Sequence, residues 1–228
     1  MTRNLLALLA CALFTAGLFA QAGAVSPTRF AAAIEAFEQQ DQTAPPPRNS
    51  ILFIGSSIFR QWKNLKEQMA PLPVFNRAFG GSRTADVLYY MDRVVLPYAP
   101  KLIVYYCGSN DVNAGLGPEG IAKGFFDFVE RLHARNPRTR VLYVSILRAP
   151  QKMDSWDKVD EANRLVREYC VRDKRLGFVD ANPAVFDGDG KPRMDLYLAD
   201  QLHYKEPAYD GFTAILKPEV ERIWRELK

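Results

Sequence analysis

At 228 residues the chain has room for one domain with a full hydrophobic core. Its composition is globular, 48% hydrophobic and 25% charged. A net charge of +4, with no basic stretch interleaved with stacking aromatics, argues against a polyanion partner and against nucleic-acid binding.

The first 24 residues form a segment of their own. Arg3 is followed by the uncharged apolar run Leu5 to Phe19, and then by the small-residue pairs of Ala20-Gln21-Ala22 and Ala22-Gly23-Ala24. This pattern predicts a secretory signal peptide over 1–24 and an exported protein, periplasmic or secreted. An apolar run of about 15 residues is shorter than the roughly 20 that a membrane span needs. The membrane is therefore expected to meet the chain only through the cleaved segment. Cys11 is set aside as a lipid-attachment residue because the apolar run continues past it. Residues 25–228 are expected to form a single domain. They contain Cys107 on a strand-like run and Cys170 on a helical apolar face, a placement that favours two reduced structural thiols and leaves pairing open.

Strand-like and helix-like runs then alternate. A helix is expected from about Pro27 to Gln40, followed by the stiff connector Ala44-Pro45-Pro46-Pro47. Strands are expected at Ser50–Ile54, Pro73–Asn76, Leu102–Cys107, Arg140–Ile146 and Gly177–Asp180. Several are continuous apolar runs, the pattern of strands covered on both faces. Between them lie helical stripes: Val87, Tyr90, Met91, Val94 and Val95; Ile121, Phe125, Phe128, Val129 and Leu132; Val159, Ala162, Val166, Tyr169 and Cys170. A last helix is expected from about Phe212, kinked or restarted at Pro218. Alternating β and α elements predict an α/β fold around a parallel sheet.

The chemistry-bearing residues sit at the ends of the strands. Gly55-Ser56-Ser57-Ile58 follows the first strand, and its serine opens a helix, where negative charge is favoured. Phe79-Gly80-Gly81-Ser82 follows the second strand and Gly108-Ser109-Asn110-Asp111 the third. Asp200-Gln201-Leu202-His203 lies near the C-terminus. In a parallel sheet these segments open onto one crevice. Each has an ordinary reading as a turn or a helix cap. Together they suit acyl transfer. Ser57, with Ser56 ranked second, supplies a nucleophile that needs an adjacent base. His203 is that base, because the other histidine, His133, sits at the charged end of an amphipathic helix and is expected to be solvated. Asp200 can orient the imidazole. The Gly81 N–H, the Asn110 side-chain amide and the Ser57 N–H can receive an oxyanion.

These four blocks resemble those of the SGNH or GDSL-type hydrolases, in order and over about 150 residues, and the resemblance is close to bacterial exported esterases of the lysophospholipase L1-like type. The resemblance implies a flavodoxin-like three-layer α/β/α sandwich with a five-stranded parallel sheet in the order 2-1-3-4-5. It implies Ser57, Asp200 and His203 as the catalytic residues and Ser57, Gly81 and Asn110 as the oxyanion hole. Two departures stand out. Ser56 occupies a position where the family usually has aspartate, and Ala78 stands where glycine is frequent.

The expected activity is hydrolysis of carboxylic esters of small acyl groups through an acyl-enzyme. The expected partner is a small-molecule ester derived from acylated carbohydrate or lipid, with no cofactor and no metal. Alternatives are an acyltransferase using the same triad and a catalytically silent carbohydrate-binding module. Phe79, Arg83, Asn113, Arg148, Pro150 and Trp156 are expected in or near the strand-end loops, where they could line the substrate pocket.

Overall fold

The computed structural model describes residues 28–227, so the expected signal peptide lies outside the described residues. Five strands form one sheet: β1 (Ile51–Gly55), β2 (Val74–Asn76), β3 (Leu102–Tyr106), β4 (Arg140–Val144) and β5 (Leu176–Val179). Their spatial order is β2-β1-β3-β4-β5 and every pairing is parallel. The helices are α1 (Ala31–Thr43), α2 (Ser57–Arg60), α3 (Leu65–Met69), α4 (Thr84–Tyr89), α5 (Met91–Val94), α6 (Ser109–Asn113), α7 (Pro118–Arg135), α8 (Trp156–Cys170) and α9 (Glu206–Glu226).

The strand residues are apolar without interruption because each face of the sheet has its own core. Side chains alternate between faces along a strand. Leu52, Ile54, Ile103, Tyr105 and Tyr143 therefore pack with residues of α1, α4, α5, α7 and α8, among them Ile34, Val87, Phe125, Phe128 and Val166. Ile51, Phe53, Val104, Tyr106 and Leu142 pack on the other face with α2, α3 and α9, through Phe59, Leu65, Phe212 and Val220. The result is the three-layer α/β/α arrangement read from the sequence.

Several boundaries differ from the expected ones. The helix expected through Val87 to Val95 is two helices. Tyr90, at φ −86° and ψ 5°, breaks it and is buried edge-on against Phe30 and Phe79. The final helix begins at Glu206 rather than Phe212 and runs unbroken through Pro218. Pro207 concealed its start in the sequence, yet a proline in the first turn forfeits no helical hydrogen bond. The strands β3 and β4 stop short of Cys107 and Ile146, which remain fully buried beyond the end of the ladder. His133 is not solvated. It is half-buried, and its Nε2–H donates to the Thr139 carbonyl at 2.9 Å. Burial pushes its pKa below the ordinary imidazole value.

Cys107 and Cys170 are both free and buried in the core that faces α7 and α8. Burial drives both thiols upward, Cys170 to about 12. Thiolates are the reactive form, so a thiol reagent such as Ellman's should leave both cysteines unmodified in the native protein and titrate both after denaturation. Rapid native labelling of either would contradict this packing.

Candidate active site

The site forms where the chain reverses its direction across the sheet. From β1 it moves to the edge strand β2, then returns to β3 on the other side of β1. The loops after β1 and β3 diverge at that point and leave a crevice outside the strand ends. Close approach of the two loops needs Gly55. Its φ is +140°, and a Cβ on it would lie 1.8 Å from the Tyr106 carbonyl oxygen. The Ser56 N–H donates to that same oxygen at 3.1 Å.

Ser57 is the first residue of α2, and α2 is a single turn. The helix field expected to favour negative charge there is correspondingly slight, because the macrodipole needs aligned peptides to accumulate. Ser57 does have a hydrogen-bond partner from the other end of the chain. His203 Nε2 lies 2.9 Å from Ser57 Oγ, across 146 residues of sequence. His203 Nδ1 lies 2.6 Å from Asp200 Oδ2. Asp200 Oδ1 accepts from the backbone N–H groups of Leu202 and His203, at 3.0 and 2.9 Å. Partial burial raises the Asp200 pKa. The bonds from the imidazole and from the two N–H groups outweigh it and hold the carboxyl at about 2. The carboxylate therefore stays charged at neutral pH and fixes the ring with Nδ1 as donor, leaving Nε2 free to accept the hydroxyl proton.

The blocks that carry the expected oxyanion donors are bonded to one another, Asn110 to Ser82 and Ser82 to Gly55. Gly81 adopts φ +80°, a left-handed geometry that glycine takes without strain. Its carbonyl accepts from Arg29 at 3.3 Å. The Asn110 Nδ2 amide donates one hydrogen to the Ser82 carbonyl at 2.9 Å, which leaves its second hydrogen for a ligand. Neither the Gly81 N–H nor the Ser57 N–H donates to another group among the described residues. Asp111 steadies this wall. It is buried and accepts from the Thr84 N–H at 3.1 Å and from the Thr84 hydroxyl at 2.6 Å, tying α6 to the start of α4. Ser82 Oγ donates to the Gly55 carbonyl at 3.0 Å. Asp111 and Ser82 were visible in the sequence only as members of their blocks. Their bracing roles depend on contacts 27 residues apart and leave no local signal.

The residues expected to line the substrate pocket do not converge. Phe79 is 1% exposed and packs edge-on to Phe30, so it belongs to the core. Arg83 caps α4, where its backbone N–H donates to Asp86 and its guanidinium lies 3.7 Å from that carboxylate. Asn113 is exposed at the end of α6. Arg148 is held bidentately by Asp160 at 2.7 and 2.6 Å. It borders a cavity of about 450 Å³ beside α8, whose lining includes no residue of the serine, histidine or oxyanion group. Pro150 opens a 3₁₀ turn (Pro150–Ser155). Trp156 donates its indole N–H to the Ala149 carbonyl at 2.9 Å and rests on Phe186. Loop residues with polar or aromatic character read alike in sequence whether they face a ligand or brace the fold. Among the described residues no group of three His, Cys, Asp or Glu side chains is placed to hold a metal ion.

The family model of GDSL-like lipases and acylhydrolases matches residues 53–210, a span that contains every residue of the hydrogen-bonded line and the expected oxyanion donors. The chain belongs to this family. Ester hydrolysis is the family's general chemistry. Among curated proteins, human platelet-activating factor acetylhydrolase IB subunit alpha1 is 30% identical over 165 residues, which cover 70% of each chain. The bovine subunit alpha2 is 24% identical over 183 residues, covering 78% of this chain and 77% of that one. Among solved structures, a GDSL-like lipase from Bacteroides thetaiotaomicron superposes with a TM-score of 0.69 at 19% identity, covering 83% of this chain and 97% of its own. A carbohydrate esterase family 3 protein from Talaromyces cellulolyticus superposes at 0.62 and 15%, covering 78% and 99%. These two show that the GDSL-like acylhydrolase fold is shared.

Ser56, the second-ranked nucleophile, is excluded by its surroundings. It is 1% exposed, and its Oγ is buried without a hydrogen-bond partner among the described residues. An unpaired buried hydroxyl costs about 1–3 kcal/mol, so Ser56→Ala should raise the melting temperature and leave ester hydrolysis close to that of the parent. A loss of hydrolysis as deep as that of Ser57→Ala would return the nucleophile to Ser56.

Proposed function

We propose that this acylhydrolase is an exported serine esterase that cleaves small acyl groups, acetyl above all, from carbohydrate or lipid-derived alcohols through an acyl-enzyme. The observation that carries the reading is the unbroken hydrogen-bonded line from Asp200 through His203 to Ser57, with unpaired donors beside it. A silent binding module would have no use for a buried-side imidazole already aligned on a hydroxyl by a charged carboxylate.

In this mechanism Ser57 Oγ attacks the ester carbonyl carbon while His203 Nε2 takes the hydroxyl proton. The carbonyl oxygen becomes an oxyanion facing the N–H groups of Ser57 and Gly81 and the free amide hydrogen of Asn110. Asp200, charged at neutral pH, stabilises the imidazolium. His203 then gives its proton to the leaving alcohol oxygen as the carbon–oxygen bond breaks. Water enters on the same side, loses a proton to His203 and attacks the acyl-enzyme. The second tetrahedral intermediate collapses as the bond from carbon to Ser57 Oγ breaks and His203 returns its proton to Oγ, which releases the carboxylic acid and restores Ser57.

The preference for small acyl groups is supported by the relative at 30% identity, whose name describes removal of an acetyl group. Export is supported by the basic, apolar and small-residue pattern of residues 1–24. With 4-nitrophenyl acetate as substrate, Ser57→Ala should lower kcat by roughly 10⁴-fold or more. Asp200→Asn should lower it by about 10⁴-fold, and Asn110→Ala by roughly 10²–10³-fold. A folded Ser57→Ala protein with undiminished hydrolysis would refute the assignment. A panel of acetylated sugars, acetylated lipids and long-chain lysophospholipid checks the substrate. Acetyl esters should be cleaved and long acyl chains left intact.

A further inference from the structure

Lys152 lies in the 3₁₀ turn that follows β4 and leads into α8, and it is only 5% exposed. Its Nζ donates to the Ser109 carbonyl at 3.0 Å and to the Ser109 hydroxyl at 2.7 Å. No carboxylate among the described residues forms an ion pair with it. Lysine is almost never buried without such a partner, because an ammonium loses its hydration and regains little from neutral acceptors. A methionine would fill similar volume at no electrostatic cost, so the fold carries this charge at the expense of its own stability.

The charge sits at a particular place. Ser109, which accepts both bonds, directly precedes Asn110. The neighbouring Gln151 N–H donates to the Gln201 carbonyl at 3.1 Å, between Asp200 and His203. The turn of Lys152 is thereby bonded both to the oxyanion side of the crevice and to the loop that carries the base.

We propose that Lys152 is a positioning residue of the esterase site, whose buried ammonium holds the Ser109–Asn110 turn and supplies a fixed positive charge that favours the tetrahedral oxyanion. This rests on the serine esterase reading given above. The charge acts through Asn110 and the field of the crevice rather than by contact with substrate. Electrostatic support of this kind is strongest where water is excluded.

The same burial makes the charge dependent on pH. Desolvation pushes the Lys152 ammonium down to about 8. The charged form is present below that pH and is lost above it, so hydrolysis should weaken as pH rises through the same range. Other titratable groups face this region from each packed element. Burial drives the phenol of Tyr106 on β3 above the ordinary value, away from this range. Asp111 on α6 is raised by burial and is committed to Thr84. Asp200 is held at about 2. His203, the base, is bonded to Asp200 and Ser57. Asp154 and Asp157 belong to the turn of Lys152 and to the start of α8.

The test is the pH dependence of kcat and KM for 4-nitrophenyl acetate from pH 6 to 10, corrected for spontaneous hydrolysis. It compares the parent, Lys152→Met and Ser109→Ala, with Ser57→Ala as reference and circular dichroism as the check of folding. The parent should lose kcat above about pH 8. Lys152→Met should lower kcat on the order of 10-fold at unchanged KM and abolish the alkaline limb. Ser109→Ala removes one acceptor that favours the charged ammonium, so its alkaline limb should move to lower pH. A folded Lys152→Met protein with the parent's kcat and alkaline limb overturns the proposal. If that variant fails to fold, an unmoved limb in Ser109→Ala overturns it. An active Ser57→Ala would bring down the esterase reading itself. An inactive Ser57→Ala beside an unaltered Lys152→Met would bring down the lysine proposal alone.

Discussion

The near-contact between Gly55 and the Tyr106 carbonyl is the constraint on which the crevice depends. β1 and β3 are parallel neighbours, and their loops must separate at their shared carboxyl end. A side chain at position 55 would collide with the β3 backbone and force the strands apart. Without one, the Tyr106 carbonyl takes the Ser56 N–H, while the Gly55 carbonyl takes both the Phe79 N–H and the Ser82 hydroxyl. Two of the four blocks are latched to two adjacent carbonyls in this way, and the third joins them through the Asn110 amide, which donates to the Ser82 carbonyl. A displacement at this point would move Ser57, Gly81 and Asn110 relative to one another.

The fourth block comes from much later in the chain and is held by aromatic packing. Tyr209 in α9 donates its phenol hydrogen to the Ile58 carbonyl at 3.1 Å and lies against Trp62, which also meets Phe212. Tyr204 packs edge-on to Phe212. His203 is thus anchored beside a helix that is itself pinned to the segment following Ser57. Its ring is further fixed by the Asp200 turn, which uses both carboxylate oxygens. The His203 ring reaches the Ser57 hydroxyl because a hydrophobic cluster joins two distant segments, and the polar bonds then set its final orientation.

Much of the fold could be read before any coordinates. The uninterrupted apolar runs around Ile51 and Leu102 implied burial on both faces, and the stripes of α7 and α8 fell at helical spacing. Boundaries were less legible. The break at Tyr90 comes from tertiary packing on Phe30 and Phe79 and has no helix-breaking residue to announce it. The start of α9 lay behind Pro207. In the site, Ser57, Asp200 and His203 stood out because few residue types can serve their chemistry, and Ser57 also follows a strand end. Phe79 was misjudged because an aromatic side chain in a strand-end loop has the same local pattern whether it faces solvent, ligand or core. Lys152 went unnoticed for a related reason. A lysine between Gln151 and Met153 carries no periodicity, and its burial is a property of the surrounding loops.

Local sequence determined the succession of strands and helices, the family blocks and the inventory of groups able to perform acyl transfer. It could do so because hydrophobic period, turn residues and strand-end placement are all encoded within a few residues of each other. The tertiary structure alone decided that Ser57 rather than Ser56 meets the imidazole, that His133 is tied to a carbonyl, and that a lysine ammonium is enclosed against Ser109. Those outcomes depend on which side chain faces the crevice and on what water is excluded from it. Both are settled by contacts between segments more than a hundred residues apart as well as by near neighbours, and no short window of sequence contains them.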